Sequence, residues 1–270
     1  VNANTLNTIT GTAAEVLVAY ASSGISNLGT ENVTLSGTVS VADLTTIQAK
    51  SGNNYQLTPT SNGSYTSTGN SSGFEVSGAT IIEGDVATLL TLQGYTYCNV
   101  NITDTSVSAV DIITLENMVG PDVSLSNVST ITSTVAAISA VTTLYSGSSS
   151  DVTNKGSQAI TITDGSITVT QANAIDGYTS GVVTATLSTT DASTLATLTG
   201  TGNAYTLTVA DTTVTAANLN TIDAATTVAI TASAATTITG SASAVDTALS
   251  SSGITGLGEE FVTLSGTTAV

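Results

Sequence analysis

Histidine, arginine and tryptophan do not occur in this 270-residue chain, and lysine occurs only as Lys50 and Lys155. Their absence removes the usual general base at neutral pH, the Ser-His and Cys-His nucleophiles, and the guanidinium clamp on phosphate or carboxylate. Paired carboxylates alone can hydrolyse glycosides. Here the acids fall at repeated turn and helix-end positions, so no enzyme is expected. Nineteen acids against two lysines set a formal charge of −17. With no basic face, nucleic acid and anionic membrane surfaces are excluded as partners. An acidic surface of this kind suits a medium rich in salt and divalent cations, which screens carboxylate repulsion. The single cysteine, Cys98, cannot close an internal disulfide and reads as a small buried hydrophobe. No run of about 18 apolar residues exists, so no span of a bilayer is expected. The chain begins at Val1 with neither Met nor leader, which reads as a mature or excerpted segment.

Charged residues make up 8% of the chain, against about 25% in ordinary soluble domains. Thr and Ser take the polar positions instead, so a hydroxyl-rich surface is expected. What the chain does contain is a repeated phrase. LTVADTTVTAANLNTID, from Leu207 to Asp223, opens with the period-2 alternation of a half-buried strand and turns at Asp211. It continues as an apolar stripe, Val214, Ala216, Leu219 and Ile222, at helical or tight-coil spacing. The same offsets recur at Val39, Val41, Leu44, Ile47; at Val107, Ala109, Ile112, Leu115; and at Ile167, Val169, Ala172, Ile175. Val1, Ala3, Leu6 and Ile9 also fit, which has the chain open inside a unit.

A related unit alternates with the first, at Ile81 to Leu92, Ile131 to Val141, near Leu187 to Leu198, and at Ile238 to Leu249. A longer echo joins the two ends of the chain. TITGTAAEVLVAYASSGISNLGTENVTLSGT from Thr8 returns as TITGSASAVDTALSSSGITGLGEEFVTLSGT from Thr237. One strand with one short helix cannot bury its own apolar face, so units of this kind stack. The fold class expected is a repeat solenoid of strand-plus-short-helix units of about 24 residues, elongated and β-solenoid-like with helical segments; sandwich-type all-β repeats are the alternative. The whole of residues 1–270 reads as one array. Two polar segments interrupt it, 51–73 and 146–158, and both read as inserted loops.

Within the strands, Val33 and Leu35, Val100 and Ile102, Val123 and Leu125, Ile160 and Ile162, Leu207 and Val209, and Val262 and Leu264 are expected to point inward. The alternate Thr, Ser and Asn residues then point outward, and stacking in register would line them up as ladders about 4.8 Å per step. Thr268 and Val270 stop at nearly the repeat phase at which Val1 and Ala3 begin, and neither end carries a polar cap. The expectation is either a longer array or chains that stack head to tail.

Asp104, Asp164 and Asp211 occupy one repeated turn, with Asn127 at the matching place in another unit. Such a residue closes a turn onto its own backbone. Stacked carboxylates could also hold calcium, a hard cation that prefers oxygen ligands; Asp151, Glu259 and Glu260 are further candidates. Tyr55, Tyr65 and Phe74, in or beside the longer insertion, either pin it to the body or contact a glycan or partner protein. A regular Thr ladder carries a further reading, ice binding, against the plain one that Thr suits strands.

The Thr/Ser/Ala-rich tandem units, the phrases VTLSGT and LNTIDAATT, the acidity and the lack of paired cysteines resemble the large secreted repeat proteins of bacterial surfaces, such as S-layer proteins, giant adhesins and fibre-forming exoproteins. The resemblance implies an extracellular structural subunit that assembles with copies of itself, end to end. An adhesin, with a glycan-binding loop on a solenoid stalk, is the other role it implies. Some members of the group are stabilised by calcium.

Overall fold

In each repeat the stripe is divided between two elements. Its first residue is the last inward side chain of a strand, or for Ile167 an isolated bridge to Leu187, and the second opens a helix. The remaining two lie three and six residues further along one helix face. All four complete stripes are buried, with every member at most 5% exposed. A Ser or Thr between strand and helix makes the switch. Thr215 accepts a hydrogen bond from the Asn218 N–H, and Thr168 forms a reciprocal capping box with Gln171.

A computed structural model describes residues 1–51, 57–59, 65–67, 74–76, 81–92, 99–119, 122–147 and 151–266, the side chains of 57–59, 65–67 and 74–76 excepted. The elements are β1 (Thr8–Gly11), α1 (Ala13–Ala21), β2 (Asn32–Leu35), β3 (Thr38–Ser40), α2 (Val41–Ser51), β4 (Leu57–Pro59), β5 (Tyr65–Ser67), β6 (Phe74–Val76), β7 (Ile81–Gly84), α3 (Val86–Leu89), β8 (Asn99–Ile102), β9 (Ser106–Ser108), α4 (Ala109–Val119) and β10 (Val123–Ser124). There follow β11 (Thr130–Ser133), α5 (Ile138–Tyr145), β12 (Val152–Thr153), β13 (Ala159–Ile162), α6 (Val169–Asp176), β14 (Val183–Thr186), α7 (Ala192–Leu195), β15 (Ala204–Thr206), β16 (Thr213–Thr215), α8 (Ala216–Ala225), β17 (Ile230–Thr231), β18 (Thr237–Gly240), α9 (Ala242–Ser250), β19 (Ile254–Thr255) and β20 (Phe261–Leu264). The fold is mixed α/β, built on several short parallel sheets, and no sheet among the described residues closes into a barrel.

Two compact units form. The first comprises Val1–Val128 and Thr143–Lys155, and the second Ser129–Thr142 and Gly156–Val270. In the first, one sheet runs β1-β2-β6 and another β3-β7-β8-β10-β12. In the second, β11, β13, β14 and β15 are neighbours in that order, β16-β18-β20 form a sheet, and β17 pairs with β19. Parallel neighbours need a crossover, and helices supply it: α1 between β1 and β2, α3 between β7 and β8, α6 between β13 and β14.

Repeat length follows helix length. Ile9 pairs with Val33, Val214 with Ile238 and Ile238 with Val262, each 24 positions on. Ile82 pairs with Val100 and Thr184 with Ala204, because the helices between them, α3 and α7, have only 4 residues. The expected period of about 24 residues thus holds where helices run nine or ten residues and contracts where they are one turn.

The interruptions are structured in part. Ser51 is the last residue of α2 and is buried, while β4 and β5 form an antiparallel pair before the chain returns through β6 onto β2. Within 146–158, β12 pairs with β10 and Val152 is buried. Val1, Ala3, Leu6 and Ile9 fit the offsets of the stripe, but no helix forms there and only Ala3 of the first three is buried. Ile9 lies in β1, Val1 and Leu6 are exposed, and residues between them turn. The Asn2 side chain accepts from the Asn4 N–H, a local bond that competes with helix.

Candidate functional site

The one-turn helices are where the repeated aspartates converge. A helix of four residues is far below the roughly 12–15 at which isolated helices become even marginal in water, and its first N–H groups have no internal acceptor. Asp85 caps α3 by accepting from the Thr88 N–H at 2.8 Å, and Asp191 caps α7 from the Thr194 N–H at 2.7 Å. Bonds from the Thr88 and Thr194 hydroxyls, reinforced by those N–H groups, hold both carboxyls below the usual carboxylate range.

A second carboxylate then arrives from the following repeat. Asp104 Oδ2 accepts from the Val86 N–H at 2.6 Å, and Asp211 Oδ2 from the Ala192 N–H at 2.8 Å. Asp164 Oδ1 takes the Val135 N–H at 2.7 Å in the turn entering α5, where Thr134 is the local cap. These bonds reach back 18, 19 and 29 residues. The three aspartates therefore join one repeat to the one before it, where the sequence pointed to closure of their own turns. Asn127 does likewise, donating from Nδ2 to the Ile102 carbonyl. Among the described residues no three acids or cysteines gather to hold a metal ion.

Two glutamates close local turns. Gly29 N–H donates to both carboxylate oxygens of the buried Glu31, and Gly258 N–H does the same to Glu260. Gln158 repeats the turn with Gly156. The three glycines have φ of +126°, +143° and +108°, which side chains rarely adopt. Asp151 stands at the entry to β12, its carbonyl accepting from the Val123 N–H. Tyr55 lies outside the described residues; Tyr65 and Phe74 lie in β5 and β6, with their side chains outside the described ones.

Several contacts between repeats had no conspicuous signal in the sequence. Asn173 donates to the Thr197 carbonyl and accepts from the Thr199 N–H, so one amide bridges two repeats. The Asp176 carboxylate lies against Gly200 and that of Asp223 against Gly253, where an added methyl group would collide. Asn203 and Ser251 hold these carboxylates in place. Their only trace is an acid at the same repeat position with a glycine in the next repeat.

The outward faces differ between units. In the second, Thr132, Thr161 and Thr184 are in register across β11, β13 and β14, and the column ends at Ala204 in β15. In the first unit, the face of the five-stranded sheet carries carboxylates and amides among its hydroxyls.

Finally, β18 pairs with β20 in the register by which β1 pairs with β2, as the echoed sequence requires. Val33 and Leu35 of β2 are fully buried, with β6 paired alongside. Val262 and Leu264, their counterparts on β20, are 45% and 47% exposed. Comparison of the chain with family models, curated proteins and solved structures finds no match.

Proposed function

We propose that the chain is a structural protein of the bacterial exterior, a segment of a surface fibre, sheath or layer in which repeats stack as a solenoid. The observation that supports this reading is the pairing of β20, which copies β2 in sequence and register and, among the described residues, has a partner on one side only, where β2 has β1 and β6. Parallel sheets with an open apolar edge recruit another strand. In the proposed assembly that strand is β1 of a second copy, which among the described residues pairs on one side only. The junction would be head to tail, a contact that propagates instead of closing.

The chain holds no His and no Arg, and no described helix is long and apolar enough to cross a membrane. The test is polymer formation by the full chain, followed by light scattering and negative-stain microscopy over a concentration series. Filaments or sheets are expected, and Val262→Asp with Leu264→Asp is expected to leave soluble, folded monomers. Wild-type protein that stays monomeric at every concentration, with β20 protected from hydrogen exchange, overturns the proposal.

A further inference from the structure

The outward face of the five-stranded sheet in the first unit holds a cavity of about 320 Å³. Its lining alternates by strand register. Thr38, Ile81, Asn99 and Asp122 form one column, and Glu83, Asn101, Ser124 and Thr153 the other. The volume falls at the low end of the roughly 300–1,000 Å³ range of small-ligand sites.

The chemistry of the lining narrows the occupant. No cationic side chain lines the cavity and two carboxylates do, which disfavours phosphate, sulfate and carboxylate ligands. A single divalent cation does not fit either. Glu83 and Asp122 stand two strands apart, about 10 Å at ordinary strand spacing, and are offset by two residues along the strands as well, too far to share one ion. What the walls offer is acceptors at both ends and amides and hydroxyls between, with the exposed side chain of Ile81 as an apolar surface. Ser126 donates to Asn101 Oδ1 at 2.9 Å and Asn154 to Ser124 Oγ at 3.2 Å, which orients those two groups. The side chains of Glu83, Asn99 and Asp122 make no hydrogen bond to another described residue.

We propose that this face binds a neutral saccharide. The Glu83 and Asp122 carboxylates accept sugar hydroxyls at opposite ends, Asn99 donates and accepts between them, and Ile81 meets an apolar sugar face. Charge-assisted acceptors make the stronger bonds to hydroxyl donors. A site of this kind is independent of polymerisation, because none of its residues lies on β1 or β20.

The experiment is saturation-transfer NMR and titration calorimetry of the full chain with two neutral probes, maltotriose and tri-N-acetylchitotriose, and with calcium chloride alone. Binding of at least one sugar at millimolar concentration is expected. Asn99→Ala and Glu83→Gln should each weaken it at least tenfold, while Thr161→Ala, on the sheet of the second unit, should leave it unchanged. Circular dichroism verifies that each variant is folded. No binding of either sugar, binding undiminished in both cavity variants, or calcium binding lost in Glu83→Gln without any sugar binding overturns the proposal.

Discussion

The carboxylate of Asp211 sits 2.8 Å from the backbone nitrogen of Ala192, and with Asp191 on the Thr194 N–H it gives a four-residue helix two anionic acceptors. One comes from the helix's own cap and one from the next repeat. The same arrangement at α3 uses Asp104 and Asp85.

Removing the outside acceptor should therefore weaken a helix that its own residues cannot sustain. Asp211→Ala is expected to lower stability by about 0.5–2 kcal/mol, the range for lost N-terminal caps, and Asp211→Asn by less. Hydrogen exchange at Ala192 should accelerate in both, more in the alanine variant. Unchanged exchange at Ala192 would count against the bond.

Acid should act on the local caps later than on ordinary carboxylates. Asp85 and Asp191 have folded pKa values depressed by Thr88 and Thr194, so their contribution is present above the unfolded value of about 3.9. It is lost as pH falls below that value through the folded pKa. Chemical-shift titration of Thr88 and Thr194 amides should show midpoints below 3.9, and Asp191→Asn should abolish the Thr194 step.

The glycines facing neighbouring repeats are expected to differ in tolerance. A methyl at Gly181 would meet the Gln158 carbonyl and the Ala159 nitrogen, both main chain, whereas at Gly200 it meets only the Asp176 carboxylate. Gly200→Ala should cost about 1–3 kcal/mol, the usual range for overpacking, and Gly181→Ala more. In a double-mutant cycle with Asp176→Ala, part of the Gly200 penalty should disappear. Denaturant midpoints measure all four variants.

Tyr205 is 1% exposed, and its hydroxyl has no hydrogen-bond partner among the described residues. Burial, with the charge of Asp176 nearby, pushes its pKa far above the normal phenol value. Tyr205→Phe removes a polar atom that gains nothing from the fold, so stability should hold or rise by up to about 1 kcal/mol. A loss greater than that in thermal or urea unfolding would mean the hydroxyl is bonded.

Much of this fold could be read from spacing alone. The stripe at Val107, Ala109, Ile112 and Leu115 records a strand ending and a helix beginning, and burial follows directly because those side chains, with Val119 one turn on, face inward. The alternation at Val100 and Ile102 is equally direct. The partners of Asp104, Asp164 and Asp211 were not readable. A residue 18 or 29 positions away becomes a neighbour only once the length of the intervening helix is fixed, and α3 is one turn where α8 is nearly three. The cavity beside Glu83 was not legible in the sequence for a related reason. Its two columns mix residues from five strands, and no single strand carries more than two of them on that face.

Parallel pairing also decides how the repeats would meet tension. Bonds between neighbouring strands run across the strands, so a pull separating α8 and α9 with their strands falls on many of them at once. The pairing of β16 with β18 and of β17 with β19 shares it with the Asn220 bond to the Ala244 carbonyl and the Ser251 bond to Asp223. Such a boundary gives way as a group, with one sharp rupture force, when it is sheared along the strands or pulled evenly, while a pull across the strands applied at one end opens it bond by bond at much lower force.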